Sequence, residues 1–142
     1  MLAPKSNPAV NQWSPEWLQF IPDEEQQQLF LDWGYFAIPF IGKDGKPLGK
    51  ANTKLVSLNT NICYENNWEV FTQFADPGGM LEWLENILED LYQNNGTAII
   101  IAHVPNIDEC TRGFGRRLHA VYDKYQTVIR WGMYSHEHQE QY

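Results

Sequence analysis

A chain of 142 residues with 43% apolar and 20% charged residues has the hydrophobic mass for one folded domain and too little charge for a disordered one. A net charge of −8 argues against nucleic acid, whose phosphates call for Lys and Arg gathered on one face. No apolar run approaches the roughly 18–20 residues that cross a bilayer, and the stretch from Met1 to Pro8 lacks the apolar core of a secretory signal.

Residues 1–22 read as an irregular lead-in, with Pro4, Pro8, Pro15 and Pro22 breaking it and the Trp13 and Trp17 rings tucked against a surface. The folded part is expected over 23–142. A short helix is expected over 23–31, with Asp23 as its N-cap. Residues 35–40 read as a strand that Pro39 confines to a sheet edge or to its own end. Turn chemistry at 42–47 and a returning strand at 54–58 complete a β-hairpin.

Asp76 and Pro77 open the next element as N-cap and first helical residue. Met80, Leu81, Leu84, Ile87, Leu88 and Leu91 recur at three- and four-residue spacing, so the pattern predicts an amphipathic helix over 77–93. Asn94, Asn95 and Gly96 end it. Residues 97–102 form a continuous apolar run, the mark of a strand buried on both faces. A loop over 104–113 leads to a helix marked by Phe114, Leu118, Val121, Tyr122 and Tyr125, and then to a strand over 128–133. Strands alternating with helices predict an α/β fold with a parallel sheet.

In such folds active sites gather past the carboxyl ends of strands. His103 ends one strand, and His136 and His138 follow another, so adjacent parallel strands would bring the three imidazoles together. Imidazole suits zinc, iron and similar metals, although a His-x-His pair alone fits a surface accident as well. His119 falls inside a helix beside its apolar face and reads as a packed or solvated residue. Arg112, Arg116 and Arg117 suit a phosphate or a solvated helix start. Cys63 and Cys110 both follow strands at the His103 end, where a bridge or two free thiols are open readings. Asn95-Gly96-Thr97 is a glycosylation sequon in a turn, which sides with an oxidising compartment.

Four segments then come in a telling order: Ser57-Leu58-Asn59-Thr60-Asn61-Ile62-Cys63, Asp76-Pro77-Gly78-Gly79-Met80-Leu81-Glu82-Trp83-Leu84, Ile100-Ile101-Ala102-His103-Val104-Pro105, and Ser135-His136-Glu137-His138. The series resembles the acid sphingomyelinase group of calcineurin-like metallophosphoesterases. That group carries a Leu-Asn-x-Asn stretch ending in Cys, an Asp-Pro before a Leu-x-Trp-Leu helix, a Gly-His-x-Pro and a final Gly-His-x-His. The resemblance is strongest over 55–138.

The resemblance implies a partial αββα sandwich, the C-terminal half of a domain that hydrolyses a phosphodiester such as sphingomyelin or another phospholipid. It implies two divalent metals, usually zinc, with His103 and His136 on one and His138 on the other. It pairs Cys63 with Cys110 and implies a secreted or lysosomal setting. The sequence departs from the pattern in Ala102 and Ser135, which replace Gly before each His, and in Val104-Pro105-Asn106, which replaces a Pro-Pro-Gly loop. The upstream Asp-x-His, Gly-Asp and Gly-Asn-His motifs, with the bridging carboxylate and the acid for the leaving group, have no counterpart in this chain. The isolated chain is therefore expected to lack activity, as part of a larger enzyme. A catalytically inactive interaction module or gene fragment is the competing expectation, and a structural zinc domain a third, disfavoured because structural zinc usually takes four protein ligands.

Overall fold

Asp23 stands in extended backbone and its carboxylate accepts from the Gln26 N–H at 2.9 Å. That cap starts helix α1 (Glu24–Trp33), and Gly34, in left-handed backbone, closes it. The helix runs two residues past the expected end. Strand β1 (Phe36–Pro39) follows and pairs antiparallel with β2 (Thr53–Ser57), Ala37 opposite Val56. Pro39 is the last residue of this edge strand, where its missing N–H breaks no ladder.

The computed structural model describes residues 12, 15–50, 52–68, 75–105 and 109–138. Most of the lead-in, Trp13 included, lies outside the described residues, but 15–18 is helical rather than irregular. Trp17 is not tucked away: it is 56% exposed, with Phe20 as its ring neighbour.

The central helix begins later than its periodicity predicts. Pro77–Gly79 is a separate 3-10 turn with Gly78 and Gly79 at φ 68° and 69°. Neither residue can join a right-handed helix in that state, so α2 spans Met80–Gln93. Asp76 still caps it across the turn, accepting from the Leu81 and Glu82 N–H groups at 2.9–3.1 Å. A Cβ on Gly78 would lie 2.6 Å from the Trp33 indole, so only glycine fits there.

Strand β3 (Thr97–Ile101), helix α3 (Arg112–Lys124) and strand β4 (Ile129–Met133) complete the chain. The sheet order is β1-β2-β3-β4, with β2, β3 and β4 parallel. The two crossovers step the same way across the sheet, and with the usual right hand they put both helices on one face. Val56, Ala98 and Ile100 meet Leu84, Leu88, Phe114, Leu118 and Val121 there in one buried cluster. Apart from Ala98, each of these side chains contributes about 1.5–3 kcal/mol by leaving water.

The expectation that 97–102 is buried on both faces is corrected by this topology. Ala98 and Ile100 are buried, whereas Ile99 and Ile101 point to the opposite face and stay partly exposed. In register with them lie Ile38, Leu55 and Trp131 in one row, and Phe36, Ser57 and Met133 in the next. Trp131 is 65% exposed. Helix α1 reaches this second face at its β1 edge, where the Phe30 ring meets Phe36 edge to face, while Trp131 on β4 stays open to solvent.

Candidate metal centre

The pairing of β3 with β4 continues past both strands. Ala102 N–H donates to the Met133 carbonyl and Ser135 N–H to the His103 carbonyl, each at 3.0 Å. This ladder sets His103 beside His136: His103 Nε2 lies 3.1 Å from His136 Nδ1, and the rings meet edge to face. Tyr64 also stands against the His136 ring, edge to face, 5.1 Å between centroids.

Neither of the exchanged glycines is needed here. The non-glycine residues with positive φ among those described are Asn95, His136 and His138, so Ala102 and Ser135 carry their Cβ atoms without backbone strain. His136, at φ 76°, and His138, at φ 55°, take the strained conformation themselves.

Two further loops brace the pair. Thr60, 1% exposed, accepts the Val104 N–H on its Oγ1 at 2.7 Å, which ties the turn after β2 to the loop after β3. Cys63 and Cys110 form a disulfide. Thr111 N–H donates to the Cys63 carbonyl and Glu65 N–H to the Glu109 carbonyl, at 2.7 and 2.8 Å. These links fix Glu109 against the site, where its Oε2 is 2.6 Å from His136 Nε2.

Glu109 also meets Glu137. A hydrogen bond between the two carboxyls, then burial, raises the Glu109 pKa above the ordinary carboxylate value, against the opposing pull of His136. Glu109, His136 and Glu137 offer donor atoms within 4.8 Å of one another, a set able to hold a divalent ion. His103 joins it through His136. His138 is exposed and lies outside that group among the described residues.

The remaining candidates lie away from this group. His119 is exposed and lies 3.6 Å from Asp123 on its own helix. Arg117 donates to the Ala75 carbonyl and sits over the Phe114 ring, while Arg112 and Arg116 are exposed. Asn95 is exposed in its turn, and Thr97 of the same sequon is buried with its hydroxyl 2.8 Å from that of Thr53. Glu109 and Glu137 escaped the motif reading. Their signal was position, one beside Cys110 and one between the two final histidines.

The donor set suits metal chemistry. No protein-family model matches the sequence. A human cyclic GMP-AMP phosphodiesterase is 31% identical over 94% of this chain. Sphingomyelin phosphodiesterase 2 of Caenorhabditis elegans is 28% identical over 99% of it. A human acid sphingomyelinase-like phosphodiesterase, 3b, is 27% identical over 96%. The chain belongs to the acid sphingomyelinase-like phosphodiesterase family. It spans 28%, 23% and 30% of the length of these three relatives. The match covers a segment of each relative, and the paired His103 and His136 follow the last two parallel strands, β3 and β4.

Proposed function

We propose that this chain is the C-terminal part of a metal-dependent phosphodiester hydrolase of the sphingomyelin phosphodiesterase type. The observation that carries the reading is the 3.1 Å approach of His103 Nε2 to His136 Nδ1 at the ends of neighbouring strands. Two nitrogens on one tetrahedral zinc, each bonded at about 2.0–2.1 Å, lie about 3.3–3.4 Å apart. The pair thus fits a shared ion with a shift of a few tenths of an ångström. His103 and His136 would hold one divalent metal, zinc by its taste for imidazole, and His138 a second. A bound divalent ion supplies charge neutralisation at the phosphoryl oxygens and lowers the pKa of water.

This chain's own residues contribute binding and orientation. The β3–β4 ladder sets the imidazole spacing, Thr60 holds the His103 loop, and the disulfide holds the Glu109 loop. The disulfide closes a separation of 47 residues, which the loop-closure model values at about 4 kcal/mol. The disulfide and the Asn95 sequon support a secreted or lysosomal setting. The open apolar face of the sheet supports the sandwich reading: the remainder of the domain, which the longer relatives possess, would cover it as a second layer.

The substrate class is a phosphodiester. The relatives' names include a lipid and a cyclic dinucleotide substrate, and sphingomyelin or another phospholipid is the reading favoured for this chain. The test is a chimera in which this chain replaces the matching segment of the human cyclic GMP-AMP phosphodiesterase. Hydrolysis of a chromogenic phosphodiester with added zinc is expected, and its loss on His136→Ala. A chimera that folds and never turns over would instead support the non-catalytic module. The isolated chain is expected to give no turnover.

A further inference from the structure

His136 has two ring nitrogens with different neighbours. Nδ1 faces His103 Nε2 at 3.1 Å, and Nε2 faces Glu109 Oε2 at 2.6 Å. An imidazole that binds a metal through one nitrogen needs its other N–H held by an acceptor, and a carboxylate is a common choice. Glu109 Oε2 is a buried oxygen without a directed hydrogen bond among the described residues. His136 Nε2 lies 2.6 Å from it, and Glu137 meets the same carboxyl group. A buried acceptor so placed is costly unless that nitrogen serves it.

From these contacts we infer that Glu109 is a positioning residue that holds His136 in the Nε2–H tautomer, leaving Nδ1 free for an ion shared with His103. The inference rests on the metal reading above for its purpose, but not for its geometry. It gives the disulfide a role beyond stability. Cys110 adjoins Glu109, and the backbone links of Glu109 and Thr111 to residues 63–65 hold the carboxylate at the height of the ring. The structure also offers the opposite arrangement, in which Glu109 and Glu137 themselves ligate an ion with His136. His103 would then be left out. The two differ in which nitrogen of His136 meets the metal.

The experiment uses the full chain labelled with nitrogen-15 in histidine, at one fixed, mildly alkaline pH. Long-range proton–nitrogen correlation reads the tautomer without metal, and then the nitrogen that shifts as zinc is added. The expected result is a protonated Nε2 on His136, with zinc moving Nδ1 of His136 and Nε2 of His103. Glu109→Ala should populate the Nδ1–H tautomer and weaken zinc binding by roughly 10–100-fold. Glu109→Gln keeps an acceptor and the side chain's shape, so it should hold the tautomer and retain more affinity than Glu109→Ala. Glu137→Gln should leave both readouts near wild type.

A wild-type Nδ1–H tautomer, zinc on Nε2, or a tautomer indifferent to Glu109→Ala would overturn the inference. If the tautomer responds to Glu109 but zinc fails to bind, the pairing stands and the metal reading falls.

Discussion

Thr60 is the residue on which the site's support converges, because its hydroxyl accepts the buried Val104 N–H one residue beyond His103. Thr60→Val keeps the shape and removes the acceptor, leaving a buried amide unserved at a cost of about 1–3 kcal/mol. Urea unfolding should show that loss, while Thr60→Ser should lie close to wild type. Tyr35 offers a pH counterpart. Burial, then the Asp76 and Asp32 charges, pushes its phenol up to about 12, and its hydroxyl donates to the Gly78 carbonyl at 2.7 Å. The unfolded phenol titrates near 10. Its contribution is therefore complete below pH 10 and lost as pH rises towards 12, where the unfolded state sheds its proton first. The urea midpoint should fall less steeply across that window in Tyr35→Phe than in wild type. At this scale the sequence exposed the histidines, because strand ends are readable from apolar runs. It hid Glu109 and Glu137, because their meeting depends on a disulfide and on loop pairing over long sequence separations.

The elements were legible where a local rule governs them. Asp23 predicted its own cap, Pro39 its edge position, and the leucine spacing the buried side of α2. The start of α2 was misread because the Asp-Pro signal is local, whereas the closeness of Trp33 to Gly78 is tertiary. That contact calls for glycine and a left-handed turn, which delays the helix. The cap survives the delay and gives a prediction. Asp76 serves two N–H groups of the first turn, so Asp76→Ala should cost about 0.5–2 kcal/mol. Asp76→Asn retains an acceptor and should lose less. Thermal unfolding followed by helix ellipticity separates the two variants. Polar contacts also link the end of α3 to α2: the buried Tyr125, at the cap of α3, donates to Glu89 at 2.7 Å and Lys124 lies 2.6 Å from Glu85. Because Lys124 and Glu85 are largely exposed, their ion pair adds little.

At the scale of the molecule, one side of the sheet is a finished core and the other is not. Sequence periodicity could not distinguish them, since a strand half-covered by helices and one covered on both faces both read as apolar runs. The open rows end in Trp131 and Met133, 65% and 45% exposed. Contiguous apolar surface of this kind drives association unless another layer covers it. The net charge of −8 opposes association between copies, and salt screens that repulsion within about 10 Å at 0.1 M. The isolated chain should therefore self-associate more as salt rises, the reverse of an interface built on ion pairs. Replacing both Trp131 and Met133 with Lys should abolish the association in sedimentation velocity runs and reduce binding of a hydrophobic dye. Because both side chains are exposed, the double variant should unfold within about 0.5 kcal/mol of wild type. The same pair introduced into the chimera should destabilise it by several times that amount, because there the face would be buried against the second layer and two lysine charges would have to leave water. Equal tolerance in both settings would show that no layer packs on this face.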